Sequence, residues 1–403
     1  MLTRLRIKNF RSITDQKIDI GPLTILYGPN ASGKSSVFYA LSAFKNIALN
    51  PNQPIDAFFN LGFANLGGFE QVVHDHRSDV AMLFAIEVSH DSSDTRYAVA
   101  LHKHDGQFSL SIGEPYHKSL NLLVSFPYPG NSQASELLEV DGTSISLTWN
   151  GILAHSAAEA TSREGPQQRG LELLTLANSP VEELRRLDIV PLKRGFSKPH
   201  YGAVSVPPTP MTEDEVATVL AQDPYLKGKV LFWLEQVFNK IFSVDVPLGT
   251  AMFYLRTTER PGGMATELVN DGFGVNQTVY LLAKALRQDA ALVCIEEPEI
   301  HLHPTAQSRL MHVLGKIAKE EGKQFIISTH SEHVVSALLA EVVKGALTTD
   351  DICCYLCTKE QGQTKFERQR VNPNGQIEGG LANFVGAELE HLKALLGIEA
   401  GAE

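Results

Sequence analysis

Three short stretches carry residue types suited to phosphate chemistry. "GPNASGKS" sets Gly28, Gly33, Lys34 and Ser35 at the spacing G-x-x-x-x-G-K-[ST]. Glycines at those positions let backbone N–H groups wrap a phosphate chain, and a helix starting at the loop's end adds a favourable dipole. The turn Gly28, Pro29, Asn30, Ala31, Ser32, Gly33, Lys34, Ser35 and Ser36 is therefore expected to cradle ATP. Lys34 would reach the β- and γ-phosphates, and the Ser35 hydroxyl would ligate Mg²⁺. "ALVCIEEPEIHLHP" ends an apolar strand in two carboxylates, Glu296 and Glu297. At a strand's C-terminal edge, one can hold Mg²⁺ or its water and the other can orient an attacking water. "QFIISTHS" ends another apolar strand beside His330, whose ring N–H can donate to a γ-phosphate oxygen.

A second glycine turn, "DGFGVNQ" at 271–277, precedes residues that are apolar at helical spacing. Its backbone is suited to an anion, yet the chain already has a phosphate loop. Two other patterns are weaker. His301 and His303 have an i, i+2 spacing that suits a metal, but a structural or subunit-contact role fits them better. Cys354 and Cys357 have the C-x-x-C spacing, but "DICCYLC" alternates like a strand and sends them to opposite faces. A buried strand in a reducing compartment is the better account.

The elements that must position these groups follow from periodicity. Residues 2–10 alternate, with Leu5 and Ile7 on one face and Arg4, Arg6 and Lys8 on the other, giving a half-buried strand with a basic outer face. "LTILY", 23–27, is a buried strand leading into the loop 28–33. The next helix turns Val37, Phe38, Ala40, Leu41 and Phe44 to the core. From about 80 to 150 the pattern is that of an antiparallel sheet. Residues 155–170 are polar and read as an exposed linker. A helix is expected from Thr212, with Glu215 completing a capping box, and leads into the helical run "KVLFWLEQVFNKIF". A further helix starts after His303, with Pro304 in its first turn and Gly322 past its end. The tail from 351 reads as two strands and a final helix.

The 403 residues are 43% hydrophobic, enough for a large core of two or three lobes. A net charge of −11 argues against nonspecific nucleic-acid binding by the whole surface, while leaving room for a local basic groove. No window offers 18 uninterrupted apolar residues, and the start "MLTRLRIKNFRSI" lacks the apolar core of a secretory signal. No membrane role and a cytoplasmic location are the expectations.

"RIKNFRSI", "GPNASGKS", "DGFGVNQ", "EEPEIHLHP" and "STHS" occur in this order over residues 6–331. As a set they resemble an ABC-type ATPase of the SMC/RecF/OLD-like group, within the AAA family ATPases. The resemblance implies an α/β P-loop NTPase fold. Its parts would be an ABC-ATPase head with a mixed or parallel core sheet, an antiparallel β subdomain and a helical insert. We divide it as lobe I at 1–150, linker and insert at 151–242, and lobe II at 243–403. It further implies Mg-dependent ATP hydrolysis in a homodimer, or a higher homo-oligomer, that sandwiches nucleotide. Lys34, Glu297 and His330 would be catalytic, and Ser35 and Glu296 would hold Mg²⁺. Gly272 and Gly274 would meet the γ-phosphate bound on another subunit, which answers the question of the second turn. "DGFGVNQ" lacks the serine of the transporter signature L-S-G-G-Q, and Asn276 is the candidate replacement. Gln71, in "GGFEQVV", is the candidate for a glutamine that reaches Mg²⁺ and water.

Neither a Toprim nuclease domain nor a long coiled coil is expected, because few residues follow His330 and 150–240 show no sustained heptads. A head of this kind would regulate a partner: a nuclease or toxin in antiviral defence, or a DNA-repair factor, with DNA a further candidate. The alternative is a slow-turnover, nucleotide-gated DNA clamp or scaffold. A transporter's nucleotide-binding subunit is a third and weaker reading.

Overall fold

The computed structural model describes residues 1–90, 93–113, 120–128, 132–140, 143–158 and 164–378. An antiparallel hairpin, β1 (Leu2–Phe10) and β2 (Ile13–Asp19), precedes β3 (Leu23–Tyr27). After the loop come α1 (Lys34–Leu49) and the single-turn α2 (Phe69–Val72). Four strands follow: β4 (Met82–His90), β5 (Ser93–Leu101), β6 (Gly106–Ile112) and β7 (Leu120–Phe126). They join the first hairpin in an antiparallel sheet of order β2-β1-β4-β5-β6-β7. A second sheet of β8 (Ala134–Val140), β9 (Thr143–Trp149) and β10 (Ala154–Ala158) leads into α3 (Glu164–Arg185).

The chain then returns to the core through β11 (Leu187–Val190) and passes the short β12 (Tyr201–Gly202). Helices α4 (Glu213–Gln222) and α5 (Pro224–Phe238) precede β13 (Lys240–Asp245), β14 (Met252–Glu259) and β15 (Ala265–Glu267). The remaining elements alternate: α6 (Phe273–Ala285), β16 (Leu292–Glu296), α7 (Pro304–Glu321), β17 (Gln324–Thr329) and α8 (Glu332–Val343). A last hairpin is β18 (Ile352–Glu360) and β19 (Gln363–Gln369).

The core sheet has the order β11-β16-β17-β3-β18-β19. Its first five strands are parallel, and β19 closes it antiparallel. Both faces are covered, so the strands are continuous apolar runs rather than alternating ones. Alternate residues still go to different cores. Leu292 and Cys294 of β16 pack with α1, α3 and the antiparallel sheet, whereas Val293 and Ile295 pack with α5, α6 and α7. Each such fully buried aliphatic side chain contributes roughly 1.5–3 kcal/mol of transfer free energy. Gln324 stitches the two sheets: its amide accepts from Leu2 N at 3.0 Å and donates to Leu2 O at 2.8 Å.

All five core residues expected for the first helix are buried in α1. The helix after His303 runs to Glu321 and stops at Gly322 in the left-handed region, φ 62°. Cys354 and Cys357 fall in different cores, as the alternation of a strand requires, and both are buried. Among the described residues, no group of three or more His, Cys, Asp and Glu side chains is placed to hold a metal ion.

Three expectations need correction. The polar stretch 155–170 is not a linker where it is described: it contains β10 and the first turns of α3, which docks through Leu173, Leu176, Ala177, Val181 and Leu184. The helical run through 242 ends at Phe238. Asn239 takes the left-handed conformation, φ 58°, and residues 240–245 become β13. Asparagine tolerates that backbone better than most residues, and its amide donates across to Arg260 O, just past the end of β14, at 3.1 Å. The half-buried β1 with a basic outer face is as expected, and that face is largely paired: Arg4 bonds Asp19 and Glu87, and Arg6 bonds Asp15. The helix expected to follow the turn "DGFGVNQ" begins inside that stretch, at Phe273, and ends at Ala285. The expected final helix lies outside the described residues.

Thr212 and Glu215 do form a capping box: Thr212 Oγ1 accepts from Glu215 N at 3.3 Å, and Glu215 accepts from Thr212 N at 3.0 Å. Thr212→Ala should lower unfolding stability by about 1 kcal/mol in a urea titration, with an unchanged m-value.

Candidate nucleotide site

The site is made where three parallel strands end side by side. Register sets Glu296 opposite Ser328 on β16 and β17, and Thr329 opposite Tyr27 on β17 and β3. The residues that follow these ends are Glu297, His330 and the loop 28–33, and they meet in one cleft of about 540 Å³. Arg11, Ser12, Tyr39 and Lys359 complete its walls.

The loop keeps its shape because it has no space to do otherwise. Gly28 has φ 143°, and a Cβ there would lie 2.2 Å from Cys357 O on β18. Gly33 has φ 97°, and a Cβ there would lie 2.2 Å from Thr364 Oγ1 on β19. Thr364 in turn donates to Ser32 O at 2.9 Å. The last hairpin is thus the back wall of the phosphate loop, and only glycine lets backbone approach so closely.

Lys34 folds back over the loop, donating to Gly28 O at 3.0 Å and Pro29 O at 2.9 Å. Burial holds its pKa below the usual lysine range, against the pull of Cys357, Glu297, Glu299 and Glu296. Lys34 Nζ is also 3.4 Å from His330 Nδ1, and His330 Nε2 is 3.0 Å from Glu297 Oε1. In that chain the imidazole bridges the two charged groups, with Nε2 facing the carboxylate and Nδ1 facing the ammonium. Ser35 Oγ donates to Glu296 Oε1, so hydroxyl and carboxylate already touch. A hydroxyl and a carboxylate are hard oxygen donors, the set that suits Mg²⁺.

Glu297 has the unusual φ of 43°. Such a backbone costs about 1–3 kcal/mol and persists only where its surroundings impose it. Glu297 N donates to Ser328 O at 2.9 Å. Arg194 donates to Glu296 O at 2.6 Å and Glu297 O at 2.8 Å. Burial pushes the Arg194 pKa down to about 10, against the attraction of Glu299, Glu296 and Glu297. Glu299 Oε1 accepts from His330 N at 2.8 Å and Thr329 Oγ1 at 2.7 Å, fixing the backbone that presents the imidazole.

The remaining candidates are elsewhere. Gly272, which is exposed, and Gly274, which is buried, start α6 away from the cleft, with Asp271 bonded to Gly272 N, Lys240 and Thr257. A Cβ on Gly274 would lie 2.6 Å from His301 O, whereas one on Gly272 would meet nothing within 4 Å. Phe273 between them is 74% exposed and packs at a tilt against His301, ring centroids 5.5 Å apart. Asn276 does not face out: it is buried, accepts from Phe196 N at 2.7 Å and donates to Phe196 O at 2.8 Å. Its amide is consumed inside the fold and cannot replace a signature serine. Gln71 also misses the cleft: its side chain accepts from Gly68 N at 2.8 Å and lines a separate cavity with Asp56 and Lys103. His303 caps α7, accepting from Thr305 N at 3.3 Å.

Arg11, Arg194, Glu299 and Lys359 were not singled out from the sequence. Arg11 donates to Ser36 Oγ at 3.3 Å and stacks over Tyr39 at 4.9 Å, which holds a cation at the cleft mouth. It belongs to "RIKNFRSI", and Glu299 to "EEPE", so their motifs were in view. Arg194 and Lys359 stand in no pattern.

A phosphate loop on a parallel sheet, paired carboxylates on the next strand but one and a histidine on the strand between define a P-loop ATPase of the ABC type, in the SMC/RecF/OLD group. The chain belongs to the family described as "AAA domain, putative AbiEii toxin, Type IV TA system", whose model matches residues 23–336. It is 25% identical over 345 residues to the OLD nuclease of Thermus scotoductus, a match covering 82% of this chain. The match spans 59% of that relative's length. Among solved structures, the SMC head domain from Thermotoga maritima aligns with a TM-score of 0.44 at 12% identity, over 91% of this chain and 98% of that one. An SMC head bound to the C-winged helix domain of ScpA aligns with a TM-score of 0.47 at 12% identity, over 92% and 98%.

Ser35→Ala should cut the gain in ATP affinity that Mg²⁺ provides by about tenfold or more, as loss of a ligand-shell group does. ATP affinity in EDTA should stay near wild type, both read by equilibrium titration.

Proposed function

We propose that the protein binds Mg·ATP in the cleft of Lys34, Ser35, Glu296, Glu297 and His330 and hydrolyses it. The observation that carries this reading is the contact of Ser35 with Glu296 beside the Lys34–His330–Glu297 chain. Mg²⁺, when bound, supplies charge that neutralises the phosphates, and Ser35 and Glu296 are the residues that would hold it. Bound phosphates take the place of the Gly28 and Pro29 carbonyls as partners of Lys34, a stronger charge-assisted interaction. The loop amides and Lys34 stabilise the transferring phosphoryl group. Glu297 orients the attacking water and accepts its proton, while His330 holds that carboxylate in place.

We further read the protein as a homodimer, or a higher homo-oligomer, that sandwiches nucleotide. Gly272 and Gly274 would bring the α6 N-terminus to the partner's γ-phosphate, where the helix dipole favours an anion. The exposed Phe273 beside this turn supports an interface there. Hydrolysis opens the dimer and so controls an effector. Its class is carried over from the name of the OLD nuclease and from the family's toxin description: a nuclease or toxin, in antiviral defence or DNA repair, with DNA a further partner. We place this in the cytoplasm; no described helix is long and apolar enough to cross a membrane. The second reading, a slow-turnover clamp or scaffold gated by nucleotide, draws support from Asn276: with its amide turned inward, the trans contact is backbone alone.

The test is solution mass by light scattering. Glu297→Gln should bind Mg·ATP without turnover and shift from monomer to dimer. Gly272→Glu, placed where a side chain has space, should keep ATP binding and abolish the shift by repelling the partner's phosphate. A mass that stays monomeric at saturating Mg·ATP sinks the sandwich, and absent ATP binding sinks the whole reading.

A further inference from the structure

Three consecutive residues join two parts of the head that the ATPase reading treats separately. Arg194 holds the carbonyls of Glu296 and Glu297, as described above, and also donates to Pro191 O at 3.0 Å. Phe196, two residues on, is held at both its N–H and its carbonyl by the side chain of Asn276 on α6. Gly195 lies between them at φ 119°, where a Cβ would stand 2.7 Å from Asn276 Oδ1. The same segment is anchored again at its start. Asp188 of β11 pairs with Lys284 of α6 at 2.9 Å, with side-chain exposures of 2% and 0%. Leu192 N between these anchors donates to Glu296 Oε2 at 3.2 Å. Residues 188–196 are therefore clamped to α6 at both ends and, in the middle, to the Glu296 carboxylate and the backbone carbonyls of Glu296 and Glu297.

We propose that this strap is a coupling element: Arg194 is a positioning residue for Glu297, and Asn276 makes the position of α6 set the geometry of that carboxylate within the same head. The proposal rests on the ATPase and sandwich readings for its purpose, since the N-terminus of α6 is the part that would sense the partner's γ-phosphate. Its physical content stands without them. Glu297 sits in a costly backbone conformation, and the groups that hold it there run through Arg194 to α6. A rotation or slide of α6 pulls on Phe196 through two hydrogen bonds, and the short, sterically locked link at Gly195 has no slack in which to absorb it. Occupancy of the neighbouring site would thereby tune hydrolysis in this one. Asn276, unfit for direct contact with the nucleotide, acquires a role through its inward-facing amide.

Two variants read the strap from opposite ends. Asn276→Ala frees Phe196, and Arg194→Lys keeps the charge but cannot reach two carbonyls as a fork does. Each should lower kcat by about tenfold or more, with ATP affinity within about threefold of wild type, the split expected of a positioning defect. The double variant should be no slower than the slower single one, because residues acting through one link are non-additive. Multiplicative losses, or a wild-type kcat for Asn276→Ala, overturn the proposal. Hydrogen exchange of the nucleotide-free protein supplies a readout independent of turnover. In Asn276→Ala the Glu297 amide, bonded to Ser328 O, should exchange faster than in wild type, while α1 amides do not change. Unchanged exchange at Glu297 also overturns the strap. A wild-type protein that binds ATP without hydrolysing it would instead sink the ATPase reading, with the exchange result still deciding the strap.

Discussion

The parallel register of β16, β17 and β3 is the constraint on which everything else depends. It brings three strand ends level, so that residues far apart in sequence become neighbours without a dedicated loop to hold each one. Glu296, Ser328 and Tyr27 occupy adjacent rungs of one hydrogen-bonded ladder. A slip of one residue in any strand would turn its side chains to the opposite core and carry its functional group away from the other two. The depth of the burial on both faces makes that slip expensive. The chemistry at the edge is thus secured by apolar packing in the middle.

That packing also explains the division of labour around the cleft. Glycine is needed where β18 and β19 press on the phosphate loop, and charge is needed where the Glu296–Glu297 turn departs from ordinary backbone. The arginine that supplies the charge is buried, so its desolvation is offset by three carbonyl acceptors and nearby carboxylates. The protein accepts a costly buried cation to present one glutamate in a conformation that the chain would not adopt unaided.

Much of this was legible in the sequence because the relevant signals are local. The phosphate loop, the strand before it, the amphipathic α1, the Thr212 capping box and the Pro304-to-Gly322 limits of α7 each depend on residues within one or two turns. What escaped was non-local or was overridden. The first turns of α3 are polar, so composition pointed to a linker, although the apolar spacing from Leu173 to Leu184 is helical. Asn239 breaks a run of helix-forming residues by taking a left-handed conformation that β13 then exploits. Arg194 lies in no motif, and its role exists only because β11 pairs with β16. Gln71 and Asn276 were assigned by their place in a pattern, and the side chains were then found committed to Gly68 and Phe196. A motif specifies where backbone must go more reliably than where an amide will point.

The four thiols have a consequence of their own. Cys294 lies in β16, and Cys353, Cys354 and Cys357 lie in β18, all buried. Burial raises the pKa of each, Cys354 to about 12, so the reactive thiolate is scarce as well as inaccessible. β18 lies directly against β3, and β16 is one strand removed on its other side. Alkylating reagents should therefore leave the native molecule untouched and mark it when the strands beside the phosphate loop part. The protein carries its own chemical clock for the opening of the layer that holds the candidate site.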